Sequence, residues 1–299
     1  MVLEYESGRI AAKLEHSQRI LVQDISFSLD SGEILALIGE TGSGKTITAL
    51  SLMRLLPDNV TQDGESIRFL GRALPPREKM AAVLGVHMVY IPQNGLEFLN
   101  PSRTMRHHLY DSLEKLGVPK KAREKIALEK LRSAGFTAPA AILDKYPFQL
   151  SGGMAQRVTI ALAACSEAKL VIADEPTNGL DDAAKARFLE MLAELFPEAA
   201  KLIITHDIAV ARLCRRTLVL CGGRMMEKGP SDLILKTPRH PYTRALMNAL
   251  VENGMRETPV LREQSEECPF FRRCTRAKPG CFPEHQSAED LEWWCSESR

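Results

Sequence analysis

Hydrophobic and polar positions alternate along Gln23-Asp24-Ile25-Ser26-Phe27-Ser28-Leu29-Asp30, so residues 20–30 read as a half-exposed strand. Ser31-Gly32 turns the chain. Glu33-Ile34-Leu35-Ala36-Leu37-Ile38 follows as a buried strand that runs straight into a glycine-rich loop. Residues 46–56 then read as a helix stopped by Pro57. Further short apolar strands fall at 86–91, 170–173, 202–205 and 217–220, with helical stretches between several of them. This alternation predicts an α/β fold with a largely parallel sheet covered by helices, because parallel strands need crossover connections and are buried on both faces.

From about 96 to 164 the rhythm breaks and the pattern becomes mainly helical, which predicts a helical subdomain inserted into the α/β core. Lys120-Lys121-Ala122-Arg123-Glu124-Lys125 within it is expected to be a solvated helix face rather than a binding patch. Beyond 251 the chain turns to short polar stretches with proline and cysteine. The expected division is therefore a main domain at 1–251 and a small cysteine-rich extension at 252–299.

Charge and composition narrow the partners. A net charge of +1 gives no bulk reason to expect nucleic-acid binding. No apolar run approaches the ~20 residues needed to span a bilayer. The N-terminus, Met1-Val2-Leu3-Glu4-Tyr5-Glu6, has neither the basic nor the apolar region of a signal peptide. A cytosolic chain is expected, reaching a membrane only through partners. Of seven cysteines, Cys268, Cys274, Cys281 and Cys295 gather near the C-terminus, and in a reducing compartment such a cluster favours a metal site over disulfides.

The glycine-rich loop carries the first chemistry. Gly39-Glu40-Thr41-Gly42-Ser43-Gly44-Lys45-Thr46 fits the full P-loop pattern between a strand and a helix. Its glycines let successive N–H groups point inward at phosphate oxygens, and the following helix adds the positive end of its dipole. Lys45 can reach the β- and γ-phosphates, and the Thr46 hydroxyl can ligate Mg²⁺. About 130 residues later, Leu170-Val171-Ile172-Ala173-Asp174-Glu175 ends a buried strand in two carboxylates. Asp174 suits holding the metal and Glu175 suits orienting the attacking water. Together these motifs describe a P-loop nucleotide triphosphatase.

Leu150-Ser151-Gly152-Gly153-Met154-Ala155-Gln156-Arg157 narrows the class. Ser151 is placed to cap the next helix, and Gly152 and Gly153 leave N–H groups exposed at its N-terminus, an anion site. Here the sequence resembles the ABC ATPases, whose signature this is. The resemblance implies an ATP-binding core of that type with its inserted helical subdomain. It further implies that Ser151 to Gln156 face the γ-phosphate held by a partner's P-loop, so that ATP sits between two subunits. It assigns Gln93 to the glutamine that contacts Mg²⁺ and the attacking water, His206 to the switch histidine, and Asp181 to the loop that crosses the dimer interface. The adenine-stacking position falls by spacing on His16, with Tyr5 a less well-spaced alternative.

His240-Pro241-Tyr242-Thr243-Arg244-Ala245-Leu246, taken with the signature, resembles the ATPase subunits of oligopeptide, dipeptide and nickel importers. That resemblance implies MgATP hydrolysis coupled to import and a second, paralogous ATPase subunit. It also implies two membrane permease subunits, an extracellular substrate-binding protein acting indirectly, and a seat on the cytoplasmic face of the inner membrane. The other reading of the same core is a soluble, non-transport ABC ATPase acting on DNA or ribosomes. Cys268, Cys274, Cys281 and Cys295 resemble the tail of the importer group, which can hold a [4Fe–4S] cluster. Four thiolates suit either iron–sulfur or zinc.

Overall fold

A computed structural model describes residues 1–15, 17–250, 268–279, 281–288 and 290–296. In chain order, β1 (Leu3–Glu6), β2 (Arg9–Lys13), β3 (Gln18–Gln23) and β4 (Ser26–Leu29) precede the buried strand β5 (Ile34–Ile38) and helix α1 (Lys45–Leu52). β6 (Val60–Asp63), β7 (Ser66–Phe69) and β8 (Arg72–Ala73) lead to β9 (Met88–Ile91). The helices α2 (Gly95–Phe98), α3 (Met105–Lys115), α4 (Lys120–Ser133), α5 (Ala140–Leu143) and α6 (Gly152–Ala164) follow without an intervening strand. The alternation then resumes with β10 (Leu170–Asp174), α7 (Asp182–Leu195), β11 (Ala200–Thr205), α8 (Ile208–Leu213) and β12 (Arg216–Cys221). After β13 (Arg224–Pro230) come α9 (Ser231–Lys236) and α10 (Pro241–Asn248), and the tail forms β14 (His285–Ala288) and β15 (Leu291–Trp294).

These elements form two compact units. One comprises Met1–Leu3, Leu29–Glu33 and Pro75–Ile203, and the other Glu4–Ser28, Ile34–Leu74 and Ile204–Arg299. In the first, β10 pairs in parallel with β9 and every residue of β10 is buried, as expected of an apolar strand covered on both faces. The basic run at the start of α4 is mostly exposed, with Arg123 paired to Glu114 at 2.9 Å.

The second unit differs from the expectation of a largely parallel sheet. β12 does pair in parallel with β5, from Arg216↔Leu35 to Val219↔Ile38. This unit also contains the antiparallel sheet of order β3-β2-β6 and the antiparallel pair β7-β8. The predicted strand at 20–30 is two strands, because Asp24 takes a left-handed φ of 56° and breaks the run. The predicted helix at 46–56 stops at Leu52 rather than at Pro57. Arg54 turns left-handed at φ 55°, Leu55 N–H bonds back to the Leu50 carbonyl at 2.9 Å and Arg54 N–H to that of Ser51 at 3.1 Å, the pattern that closes helix C-termini.

The tail joins this second unit as added strands. β15 pairs antiparallel with β13, setting Glu227 against Trp293 and Lys228 against Glu292, and β14 pairs with β15. Its first described turn sits on Gly222, where an added Cβ would come within 2.6 Å of the Pro269 side chain.

Candidate functional site

In the second unit, β5 delivers the chain into residues 39–46 with three glycines in left-handed backbone: Gly39 at φ 154°, Gly42 at 80° and Gly44 at 100°. Gly39 has no room for a side chain, since a Cβ there would stand 2.3 Å from the Leu220 carbonyl oxygen. Around Gly42 nothing lies within 4 Å, so the crest of the loop is open. Gly223 N–H donates to the Ser43 carbonyl at 3.1 Å and fastens the loop from behind. The Lys45 ammonium donates to the carbonyls of Gly39 at 2.7 Å and Glu40 at 3.0 Å, which holds it over the loop although the residue is only 8% exposed.

This cradle fits an anion. α1 begins after Gly44, which brings no side-chain cap, and its N-terminal end is the positive end of the helix dipole. The buried Ser43 hydroxyl oxygen has no hydrogen-bond partner, a polar group that a phosphate oxygen would satisfy. His206 lies exposed just beyond β11, and Asp207 caps α8 by accepting from Ala209 N–H at 2.8 Å.

The first unit holds the carboxylates. Asp174 ends β10 and is 5% exposed, and the Tyr90 hydroxyl donates to its Oδ2 at 3.2 Å. Burial first, and then the Asp174 carboxylate, holds the Tyr90 phenol well above its ordinary pKa, so it remains a donor. A buried, oriented carboxylate at a strand end is a fitting ligand for a divalent cation. Glu175 follows at φ 46°, a left-handed conformation costly for a residue with a side chain and concentrated at functional sites.

α6 carries the signature. Ser151 caps it by accepting from Met154 N–H at 3.3 Å, and Gly152 and Gly153 are exposed with no atom within 4 Å of an added Cβ. Ala155 is fully buried and Met154 partly so. The Gln156 amide turns inward, donating to the carbonyls of Pro92 at 3.3 Å and Pro176 at 3.5 Å. Gly95 is needed where α2 meets α6, because its Cβ would fall 2.9 Å from the Ala155 backbone. Asp181 caps α7 through Ala184 N–H at 2.8 Å. One cavity of about 970 Å³ is lined by Gln93, Gly152, Gly153, Gln156, Glu175 and Leu180 together.

Profiles of known families settle the class. The family described as ABC transporter matches residues 22–178, and that described as oligopeptide/dipeptide transporter, C-terminal region, matches residues 226–281. The chain belongs to the ABC transporter family. It is an ABC-type ATPase. The dipeptide transport ATP-binding protein DppD of Escherichia coli is 38% identical over 285 residues, covering 90% of this chain and 87% of that protein. The nickel import ATP-binding protein NikD of Brucella abortus is 38% identical over 239 residues, 79% of this chain and 90% of its own. Among solved structures, the dimeric post-hydrolysis ATP-binding cassette MJ0796 with ADP and Pi matches with TM-score 0.67 at 21% identity, over 77% of this chain and 98% of its own. That likeness establishes the ABC cassette fold.

Two sequence assignments need correction or fall outside view. Tyr5 is 1% exposed, bonded to the Ser51 hydroxyl at 2.6 Å and packed on Phe27 with ring centroids 5.0 Å apart, so it is core and offers no face to adenine. His16 lies outside the described residues. In the ABC ATPase's tail, Cys268, Cys274, Cys281 and Cys295 line one small cavity with Phe270 and Phe271. Burial, with a smaller contribution from the other three thiols, pushes the Cys268 pKa up to about 11. Four thiols round one cavity are a donor set suited to a thiophilic metal. Among the described residues, however, no three Cys, His, Asp or Glu side chains are grouped as a metal site. The sequence did not reveal Tyr90 or the inward turn of Gln156, and no local motif marks either.

Proposed function

We propose that this ABC-type ATPase energises an importer for peptides or nickel-type substrates. The observation that carries this reading is the match of residues 226–281 to the oligopeptide/dipeptide transporter C-terminal region, beside relatives named for dipeptide transport and nickel import. Among the described residues no helix is long and apolar enough to cross a membrane. In this reading the cassette acts through two permease subunits from the cytoplasmic face of the inner membrane. A substrate-binding protein outside the cell takes part indirectly. The partner ATPase is a paralogous chain, and a solved dimeric cassette with ADP and Pi supports the two-subunit arrangement.

Within this reading, residues 1–251 form the ATPase domain, with the helical subdomain at about 96–164, and 252–299 the metal-bearing extension. Gly39 to Thr46 bind the ATP phosphates and His16 stacks on adenine. Thr46, Gln93 and Asp174 hold Mg²⁺, which neutralises charge on the transferring phosphoryl group. Glu175 orients the attacking water, and His206 reaches the γ-phosphate. Ser151 to Gln156 and Asp181 complete the partner's site. The four tail cysteines hold a [4Fe–4S] cluster, or zinc in its place, which ties down a segment too small to fold alone. Iron analysis after anaerobic purification tests the tail, and colourless, iron-free protein would end the cluster reading.

Glu175→Gln in the assembled transporter tests the core of the proposal. ATP binding should persist while turnover falls about 10²-fold or more, the scale of a lost general base. Near-normal turnover would remove Glu175 from that role. Stimulation of the wild type by DNA or ribosomes, rather than by substrate and its binding protein, would favour the soluble alternative.

A further inference from the structure

The tail reaches the phosphate loop directly. Arg273, one residue before Cys274, donates from both terminal nitrogens to Glu40, with Nη1–Oε1 and Nη2–Oε2 each 2.7 Å. Glu40 is the second residue of the loop, and its own N–H donates to the Tyr242 hydroxyl at 3.1 Å. Tyr242 and Phe270 meet edge to face with centroids 5.3 Å apart, and the Arg273 guanidinium lies 5.2 Å from the Phe270 ring centroid and 5.9 Å from that of Tyr242. Phe270 and Tyr242 are 2% and 1% exposed. Both ends of the pair reach solvent, at 28% exposed for Arg273 and 47% for Glu40, but the guanidinium end is held against buried rings.

A carboxylate in a phosphate-binding loop works against the loop's task. ATP brings several negative charges to amides oriented for them, and an unpaired Glu40 would repel those charges. A bidentate guanidinium cancels that repulsion and also fixes the side chain. We propose that Arg273 is a positioning residue for ATP binding: it neutralises Glu40 and holds the front of the phosphate loop, so that the C-terminal segment takes part in the nucleotide site. The proposal rests on residues 39–46 being that site.

The test is ATP-dependent hydrolysis by the assembled transporter at low salt. Arg273→Ala should raise KM for ATP about three- to tenfold with kcat nearly kept, and added salt should shrink the effect. Arg273→Lys, which keeps charge but loses the fork, should fall between. Adding Glu40→Gln to Arg273→Ala should bring KM back down from the value of the single variant, because no charge is left to cancel. If Arg273 only anchored the tail, the double variant would stay as poor as Arg273→Ala, and that result overturns the proposal, as does a wild-type KM in Arg273→Ala. Lys45→Ala separates the two readings: wild-type ATP affinity there would sink the site itself, whereas loss of ATP there with Arg273→Ala unchanged would sink the role of Arg273 alone.

Discussion

The Gln156 side-chain amide donates to the Pro92 carbonyl oxygen at 3.3 Å, and the same nitrogen lies 3.5 Å from the Pro176 carbonyl oxygen. One side chain on the signature helix thus touches the backbone next to Gln93 and the backbone next to Glu175. A carboxylate of the same shape cannot donate and would face two carbonyls. Glu at this position should destabilise the fold by about 1–3 kcal/mol, and Ala by less because it sets no negative charge against the two carbonyls. Denaturant unfolding of Gln156→Glu beside Gln156→Ala checks the order, and equal stabilities would show that the amide contributes no directed bond.

Tyr90 contributes to the metal carboxylate in a way that a conservative change isolates. Phe at 90 removes the 3.2 Å bond to Asp174 and little else. Hydrogen bonds to charged groups contribute about 1.5–3 kcal/mol, so the Mg²⁺ concentration giving half-maximal hydrolysis should rise about tenfold. ATP binding without Mg²⁺ should hold. A magnesium titration of the ATPase rate distinguishes this from a general loss of activity.

Two loop glycines should fail differently when changed to alanine. Gly39→Ala drives a methyl to within 2.3 Å of the Leu220 oxygen, so the folded protein should lose at least about 2 kcal/mol or not accumulate. Gly42→Ala meets nothing within 4 Å and carries only the left-handed backbone cost, about 1 kcal/mol. It should fold, with weakened ATP binding because the methyl projects into the open space at the crest of the loop. Thermal melts paired with nucleotide titration separate the two.

His240 makes stability depend on acidity. It is 1% exposed, and its Nδ1 accepts from Tyr242 N–H at 3.0 Å. Burial lowers its pKa to about 3. An unfolded histidine titrates near about 6.5, so the unfolded chain binds the extra proton across that window. The contribution is present above about pH 6.5 and is lost as pH falls toward about 3. Neighbouring Glu227, whose carboxyl burial pushes upward, contributes with the opposite sign. His240→Asn keeps an acceptor for Tyr242 and cannot charge. The melting temperature of the wild type should therefore fall more steeply between about pH 7 and 5 than that of the variant. Parallel curves would assign the acid sensitivity elsewhere.

Chemistry held in contiguous residues was legible before any fold was known. The glycines of residues 39–46, the apolar strand ending in Asp174-Glu175 and the capped Ser151 helix each carry their geometry in local spacing. What local spacing lacks is pairing over distance. The short strands at 3–6, 9–13, 60–63, 66–69 and 72–73 have no sustained period and gain identity only from partners, and Arg273 meets Glu40 across 233 positions. The early end of α1 has a similar cause: the left-handed turn at Arg54 competes locally with a helical pattern that otherwise continues to Leu56.

β15 lies along β13, the strand next to β12, and so occupies hydrogen-bonding positions that would otherwise face solvent. Cutting the chain before Cys268 would bare that edge beside the buried Met225 and Met226. Exposed apolar edges recruit other chains, so a truncated protein would report on self-association and precipitation before it reported on cysteine chemistry. The function of the extension is better read from single substitutions within an intact sheet.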